Sequence, residues 1–194
     1  MHIDDALRTV PGALAPPRAA SILGGFGAAD AEQDDHPVLA IARELCGQHR
    51  RQWEAEDLSR APAADAQTLA AVKRTIDALN SRRGSLIDAL DEWAGRSLRQ
   101  NPRAPLHTET LGSVVDRLCI AWVRAEMLRP KTPPAPPPGP AAQGAPPADG
   151  GPAARGESAA RQLAELAFAY DTLTEEIAAG LRRVPDWRLL KSYG

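Results

Sequence analysis

Residues 53–93, WEAEDLSRAPAADAQTLAAVKRTIDALNSRRGSLIDALDEW, decide the fold. They contain the end of one helix, a turn around Pro62 and a second long helix that Asp65 caps. Arg83 occupies the one position in the second helix where the apolar spacing expects an apolar residue. The stretch predicts two helices that pack antiparallel through their apolar faces. Apolar residues recur along the second helix at near-heptad spacing, at Leu69, Val72, Ile76, Leu79, Leu86, Leu90 and Trp93.

Composition favours an all-α fold. Of the 194 residues, 43% are hydrophobic and only 4% are aromatic. A chain rich in alanine and poor in aromatic residues favours closely packed helices over a β-sandwich. Its net charge of −2 creates no field that attracts nucleic acid or an anionic membrane, so neither is an expected partner.

The expected location is the cytoplasm. No basic and apolar leader is present at the N-terminus, and no apolar run is long enough to span a membrane. Cys46 and Cys119 lack the spacing of a metal site, so we expect two buried thiols in a reducing compartment.

Two further helices follow the first pair. The first helix begins at His36–Pro37 and ends near Arg60, and the second ends at Asn101–Pro102. We expect Thr108 to cap a third helix that extends from about Glu109 to Arg129. A fourth helix is predicted from about Ser158 to Val184.

These patterns predict an antiparallel bundle of about four main helices with a disordered Pro-rich insertion. Residues 1–34 are expected to be mostly disordered, because Gly24–Gly25 should end any short helix there. Residues 35–129 form the three-helix part, and residues 130–156 form a linker rich in Pro and Gly. Residues 157–194 supply the fourth helix and a C-terminal segment that packs on the bundle through Trp187, Leu189, Leu190 and Tyr193.

Three motifs follow one another along the chain. They are W-x-x-E-D-x-x-R from Trp53, K-R-x-I-D-x-L-N-x-x-R from Lys73 and E-T-x-G-x-x-x-D-R-L from Glu109. In this order and spacing, the chain resembles the bacterial family known as domain of unknown function 4254. The resemblance implies a helical cytoplasmic protein and no assigned reaction. Family members occur near genes for surface-polysaccharide or secondary-metabolite biosynthesis, which suggests an accessory role.

Charged residues flank the apolar faces of all three helices. If these flanks converge, Asp57, Asp77 and Asp116 meet at one centre between the helices. Bundles commonly bind ligands in such places. A salt-bridge network that fixes helix register, or merely solvated helix surface, explains the same pattern. The candidate ligand-binding residues are Trp53, Glu56, Asp57, Arg60, Lys73, Asp77, Asn80, Arg83, Asp116 and Arg117.

Two chemistries fit a converged site, and the sequence does not decide whether the protein is an enzyme. The favoured hypothesis is an accessory protein that binds an anionic small molecule or a partner protein, with arginine and lysine side chains as the anion ligands. The alternative is a metal-dependent hydrolase or transferase acting on a phosphorylated substrate. Its Mg²⁺ or Mn²⁺ ligands would be Glu56, Asp57, Asp77 and Asp116. His49 is a candidate general base, but a lone histidine on a helix is more often a surface or capping residue.

Overall fold

Five helices make up the part of the chain that the computed structural model describes, which is residues 14–27, 36–60, 65–129, 151–186 and 188. No β-strand occurs in these ranges, and residues Leu106 and Arg183 form one isolated bridge. The predicted all-α fold is therefore confirmed. The helices are α1 (Ala19–Gly27), α2 (Pro37–Ser59), α3 (Ala66–Ser97), α4 (Leu111–Met127) and α5 (Pro152–Ala178).

Helices α2 and α3 form the antiparallel hairpin that the sequence predicts. The His36 side chain accepts a hydrogen bond from the amide of Val38, and Pro37 opens α2. Asp65 caps α3 by accepting a hydrogen bond from the amide of Thr68 at 2.7 Å. Helix α3 ends at Ser97, four residues before the expected stop, because the next residue takes an extended backbone and packs against the core.

The predicted cap of α4 was wrong. Thr110, not Thr108, caps the helix by accepting a hydrogen bond from the amide of Ser113. The preceding backbone is held away from the helix because the amide of His107 donates a hydrogen bond to the carbonyl of Arg183 at 2.7 Å. This hydrogen bond to a residue distant in sequence explains why α4 begins later than the local sequence predicts.

Helix α5 begins and ends earlier than predicted. It begins at Pro152, inside the segment predicted as a linker, because proline is well suited to a first helical position. It ends at Ala178, where Gly180 adopts a left-handed φ of 70° and the amide of Leu181 donates a hydrogen bond back to the carbonyl of Glu176. The linker prediction for residues 130–150, and the predicted packing of Trp187, Leu189, Leu190 and Tyr193, lie outside the described residues.

The prediction that Gly24–Gly25 ends any helix before residue 34 was also wrong. Both glycines lie inside α1, and Ala19 and Ile22 are buried in the main core. The segment is held from both ends, since the amide of Ala19 donates to Asp171 on α5 at 2.8 Å and the Phe26 ring packs edge-on against Trp122 on α4. Residues 14–27 are therefore part of the bundle.

The main core lies where α2, α3 and α4 meet, and α1 and α5 close its sides. Leu45, Leu90, Leu118 and Tyr170 come from four helices and are almost completely inaccessible to solvent. Tyr170 donates its hydroxyl to the carbonyl of Pro17, so its one polar atom is satisfied. None of the helices in the described ranges combines the length and apolar character needed to cross a membrane.

Both cysteines lie in this core. Burial raises the pKa of the Cys46 thiol to about 11 and the pKa of the Cys119 thiol well above its ordinary value. We therefore expect neither thiol of the native protein to react with a chromogenic disulfide reagent at about pH 8. Both should react rapidly after unfolding in urea, which serves as the positive control. Rapid reaction of the folded protein would contradict this packing.

Candidate functional site

Three helices contribute one side chain each to a buried polar cluster at the centre of the bundle. His49 on α2 and Arg83 on α3 both contact Asp116 on α4, which is only 3% exposed. Nε2 of His49 lies 2.8 Å from Oδ1 of Asp116. Arg83 donates Nε to the same oxygen at 2.9 Å and Nη2 to the other carboxylate oxygen. We call these residues the His49–Arg83–Asp116 cluster.

The cluster keeps its carboxylate ionised at neutral pH. Burial alone would raise the pKa of Asp116, but the hydrogen bonds from Arg83 and His49, together with the charge of Arg83, outweigh burial and lower this pKa from its ordinary value. The hydrogen bonds to Asp116 in turn raise the pKa of Arg83, although burial opposes this shift. Arg83 and Asp116 therefore form a fixed pair of opposite charges with no net charge.

Two members of the cluster, His49 and Arg83, line a cleft of about 190 Å³ between α2, α3 and α4, and Asp116 lies behind them. The Arg83 side chain is 33% exposed, so its guanidinium extends from buried Asp116 to the cleft surface. Arg124 lies on the same surface, and its guanidinium makes one long hydrogen bond of 3.4 Å to Gln162. The lining residues are His49, Gln52, Trp53, Glu56, Arg83, Ile120, Val123 and Arg124.

The first sequence motif contributes Trp53 and Glu56 to this cleft, but Asp57 and Arg60 lie at exposed positions. Arg60 bonds Glu56 at 3.1 Å and Asp57 at 3.1 Å within its own helix. Glu56 also accepts a hydrogen bond from Gln52 at 3.2 Å. Arg60 therefore pairs with two carboxylates of α2, and neither Asp57 nor Arg60 belongs to the buried cluster.

The second motif contributes Arg83 to the cluster, and the third motif contributes Asp116. Lys73 pairs with Asp77 at 3.0 Å on the exposed face of α3, and Asn80 is also exposed. Arg117 on α4 pairs with Glu109, which precedes that helix. The four candidates Lys73, Asp77, Asn80 and Arg117 are therefore not part of the cleft.

The predicted meeting of Asp57, Asp77 and Asp116 was therefore wrong. Asp116 is buried, but the side chains of Asp57 and Asp77 are 61% and 59% exposed. Most side chains in the first half of α3 are exposed, so a position next to the apolar face does not point into the bundle there. Nowhere in the described ranges do three or more His, Cys, Asp or Glu side chains gather to hold a metal ion, so Glu56, Asp57, Asp77 and Asp116 form no joint metal site.

Two titratable residues that line the cleft, His49 and Arg124, were not among the predicted ligand-binding residues. His49 is 8% exposed, not at the surface, and it precedes Trp53 by one helical turn on the same face of α2. Arg124 was not a candidate, although Asp116, Ile120 and Arg124 follow one another at four-residue steps along one face of α4. This spacing from the third motif was the signal that could have found it.

Together, these features define an all-α bundle with a polar cleft between three of its helices. Residues 39–185 match the model of a family described as "Protein of unknown function (DUF4254)", and the chain belongs to this family. The match includes all three motifs and every residue that lines the cleft. The chain has no match among the curated proteins or the solved structures compared with it.

Proposed function

We propose that the protein binds a small anionic molecule in the cleft between α2, α3 and α4. The observation that carries this proposal is the position of Arg83, which buried Asp116 holds at the cleft surface. A guanidinium has five N–H donors, and Asp116 uses two of them. The remaining donors are available to a phosphate or carboxylate, and their orientation is already fixed before a ligand arrives.

The pairing of Arg124 also favours an anion. Asp116 balances the charge of Arg83, and Arg60 is shared between Glu56, which lines the cleft, and exposed Asp57. Within the described ranges, Arg124 bonds only the neutral Gln162 and has no carboxylate partner. An anionic ligand would give the Arg124 guanidinium a charged partner.

The size of the cleft limits the ligand. Its volume of about 190 Å³ is smaller than the roughly 300–1,000 Å³ that encloses a drug-sized molecule. Trp53, Ile120 and Val123 give it an apolar wall beside the arginine groups. The ligand we propose is therefore a small phosphorylated or carboxylated molecule, or the charged end of a larger one.

We extend the proposal to the setting that the family resemblance suggests, an accessory protein of bacterial surface-polysaccharide or secondary-metabolite biosynthesis in the cytoplasm. A metal-dependent enzyme acting on a phosphorylated substrate has less support. Among the described residues, the carboxylates that would bind the metal do not gather at one site, because Asp57 and Asp77 are exposed on different helices and Asp116 is buried.

The test is calorimetric titration of the full chain with inorganic phosphate. We expect Arg124→Gln to weaken phosphate binding about 10-fold, because it removes one charge-assisted hydrogen bond worth roughly 1.5 kcal/mol. Arg117→Gln is the matched control, since Arg117 is an exposed arginine on the same helix that pairs with Glu109 outside the cleft. Its phosphate affinity should equal that of the wild type.

Two results would overturn the proposal. One is that the wild type does not bind phosphate, sulfate or small carboxylates. The other is that Arg117→Gln and Arg124→Gln weaken phosphate binding equally, because the affinity would then depend on the net charge of the protein and not on the residues of the cleft.

A further inference from the structure

We propose that the cleft is also a hydrolytic site in which His49 is the general base and the substrate is an ester of phosphate. This inference rests on the proposed anion binding, since Arg83 and Arg124 would hold the phosphoryl oxygens. It assigns a chemical role to a side chain that anion binding alone does not need.

The orientation of the His49 ring supports this role. Among the described residues, the only hydrogen bond of the ring is made by Nε2, to Asp116. The ring is 8% exposed and forms part of the cleft wall. Nδ1 therefore has no protein partner within the described ranges and is available to a molecule in the cleft.

Asp116 determines which nitrogen can accept a proton. When the imidazole is neutral, Nε2 carries the hydrogen that it donates to the carboxylate, and Nδ1 carries the lone pair. A buried carboxylate that orients a histidine in this way also stabilises the imidazolium that forms during proton transfer. Arg83 already balances the charge of Asp116, so His49 is not required as its counter-ion in the resting cluster.

The proposed reaction uses water as its second substrate. Nδ1 of His49 removes a proton from water as the water oxygen forms a bond to phosphorus. The ester P–O bond opposite the attacking water breaks and the leaving oxygen takes a proton from solvent, which gives inorganic phosphate and an alcohol, and Nδ1 then returns its proton to solvent. Donors from Arg83 and Arg124 stabilise the negative charge on the non-bridging oxygens. His49 ends the cycle neutral, and no oxidant or reductant is needed.

The experiment measures hydrolysis of para-nitrophenyl phosphate by the full chain, together with phosphate binding. We expect His49→Gln to lower the rate by about 100-fold or more, which is the usual contribution of a general base, while phosphate binding remains. His107→Gln is the matched control, because His107 lies in a different groove and, among the described residues, its ring hydrogen-bonds only to the backbone of Glu109. Its rate should equal that of the wild type.

If the wild type binds phosphate but hydrolyses the ester no faster than His49→Gln does, the general-base role is overturned and the proposed binding site stands. Absence of phosphate binding would overturn both proposals. Nitrogen NMR of the wild-type imidazole gives a second test that does not depend on the variant folding. The proposal predicts that the neutral ring carries its hydrogen on Nε2 and none on Nδ1, and a neutral ring with its hydrogen on Nδ1 would contradict it.

Discussion

Asp116→Ala is expected to lower the free energy of unfolding by about 3 kcal/mol. The carboxylate of Asp116 accepts hydrogen bonds from residues on two other helices, and it is 3% exposed. Its removal leaves the Arg83 guanidinium without a counter-ion and leaves Nε2 of His49 without an acceptor inside the bundle. Urea unfolding followed by helical circular dichroism measures this loss.

The matched controls are Asp57→Ala and Asp77→Ala. Both aspartates belong to motifs of the same family as Asp116 does. Each forms an exposed pair with a residue three or four positions away, Asp57 with Arg60 and Asp77 with Lys73. Such pairs contribute little, so each control should change the free energy of unfolding by less than about 0.5 kcal/mol. If Asp116→Ala destabilised the protein no more than these two variants, the cluster would not connect the three helices.

Gly112→Ala should have a comparable effect, about 3 kcal/mol, for a steric reason. A Cβ atom at Gly112 would lie 2.5 Å from the carbonyl oxygen of Ile87 and 2.8 Å from Oδ1 of Asp91. The carbonyl belongs to the backbone of α3, so it cannot move aside as the end of a flexible side chain can. The start of α4 would have to move away from α3 and would stretch the 2.6 Å hydrogen bond from the amide of Gly112 to buried Asp91.

Gly84→Ala is the matched control for this steric effect. Gly84 lies inside α3, and a Cβ atom there would meet nothing within 4 Å. Alanine is the better helix former, so this variant should raise the free energy of unfolding by about 0.5–1 kcal/mol. Opposite signs for the two glycine variants in urea unfolding are the expected result. Two variants of equal stability would show that α3 and α4 are not in close contact at Gly112.

Local signals were sufficient to predict the α2–α3 hairpin. Pro37 occupies a first-turn position of α2, and Asp65 accepts a hydrogen bond from the amide of Thr68 at the start of α3. Both helix starts depend only on neighbouring residues and can be predicted from the sequence. Helix α1 could not be predicted in this way. Its glycines Gly24 and Gly25 oppose a helix locally, and its stability comes from burial of Ile22 and a hydrogen bond from Ala19 to Asp171, which is 152 positions away in sequence.

The candidate site was predicted in part for a similar reason. Arg83 was identifiable because a charged residue replaced an apolar one in the repeating face of α3, and it points inward to Asp116. Asp77 lies beside the same face, but the first half of α3 has little of the bundle to pack against, so its side chain is exposed. A charged residue beside an apolar face points into the bundle only where a neighbouring helix packs against that face. The sequence of one helix does not show where its neighbours end.

NMR titration of the full chain with inorganic phosphate tests most directly whether the cleft between α2, α3 and α4 binds a small anion. We predict that the largest shifts occur at the Nε–H signals of Arg83 and Arg124 and at backbone amides around Trp53 and Val123, all of which line the cleft. Shifts that are absent, or that occur instead at Glu109 and Arg117, would contradict it.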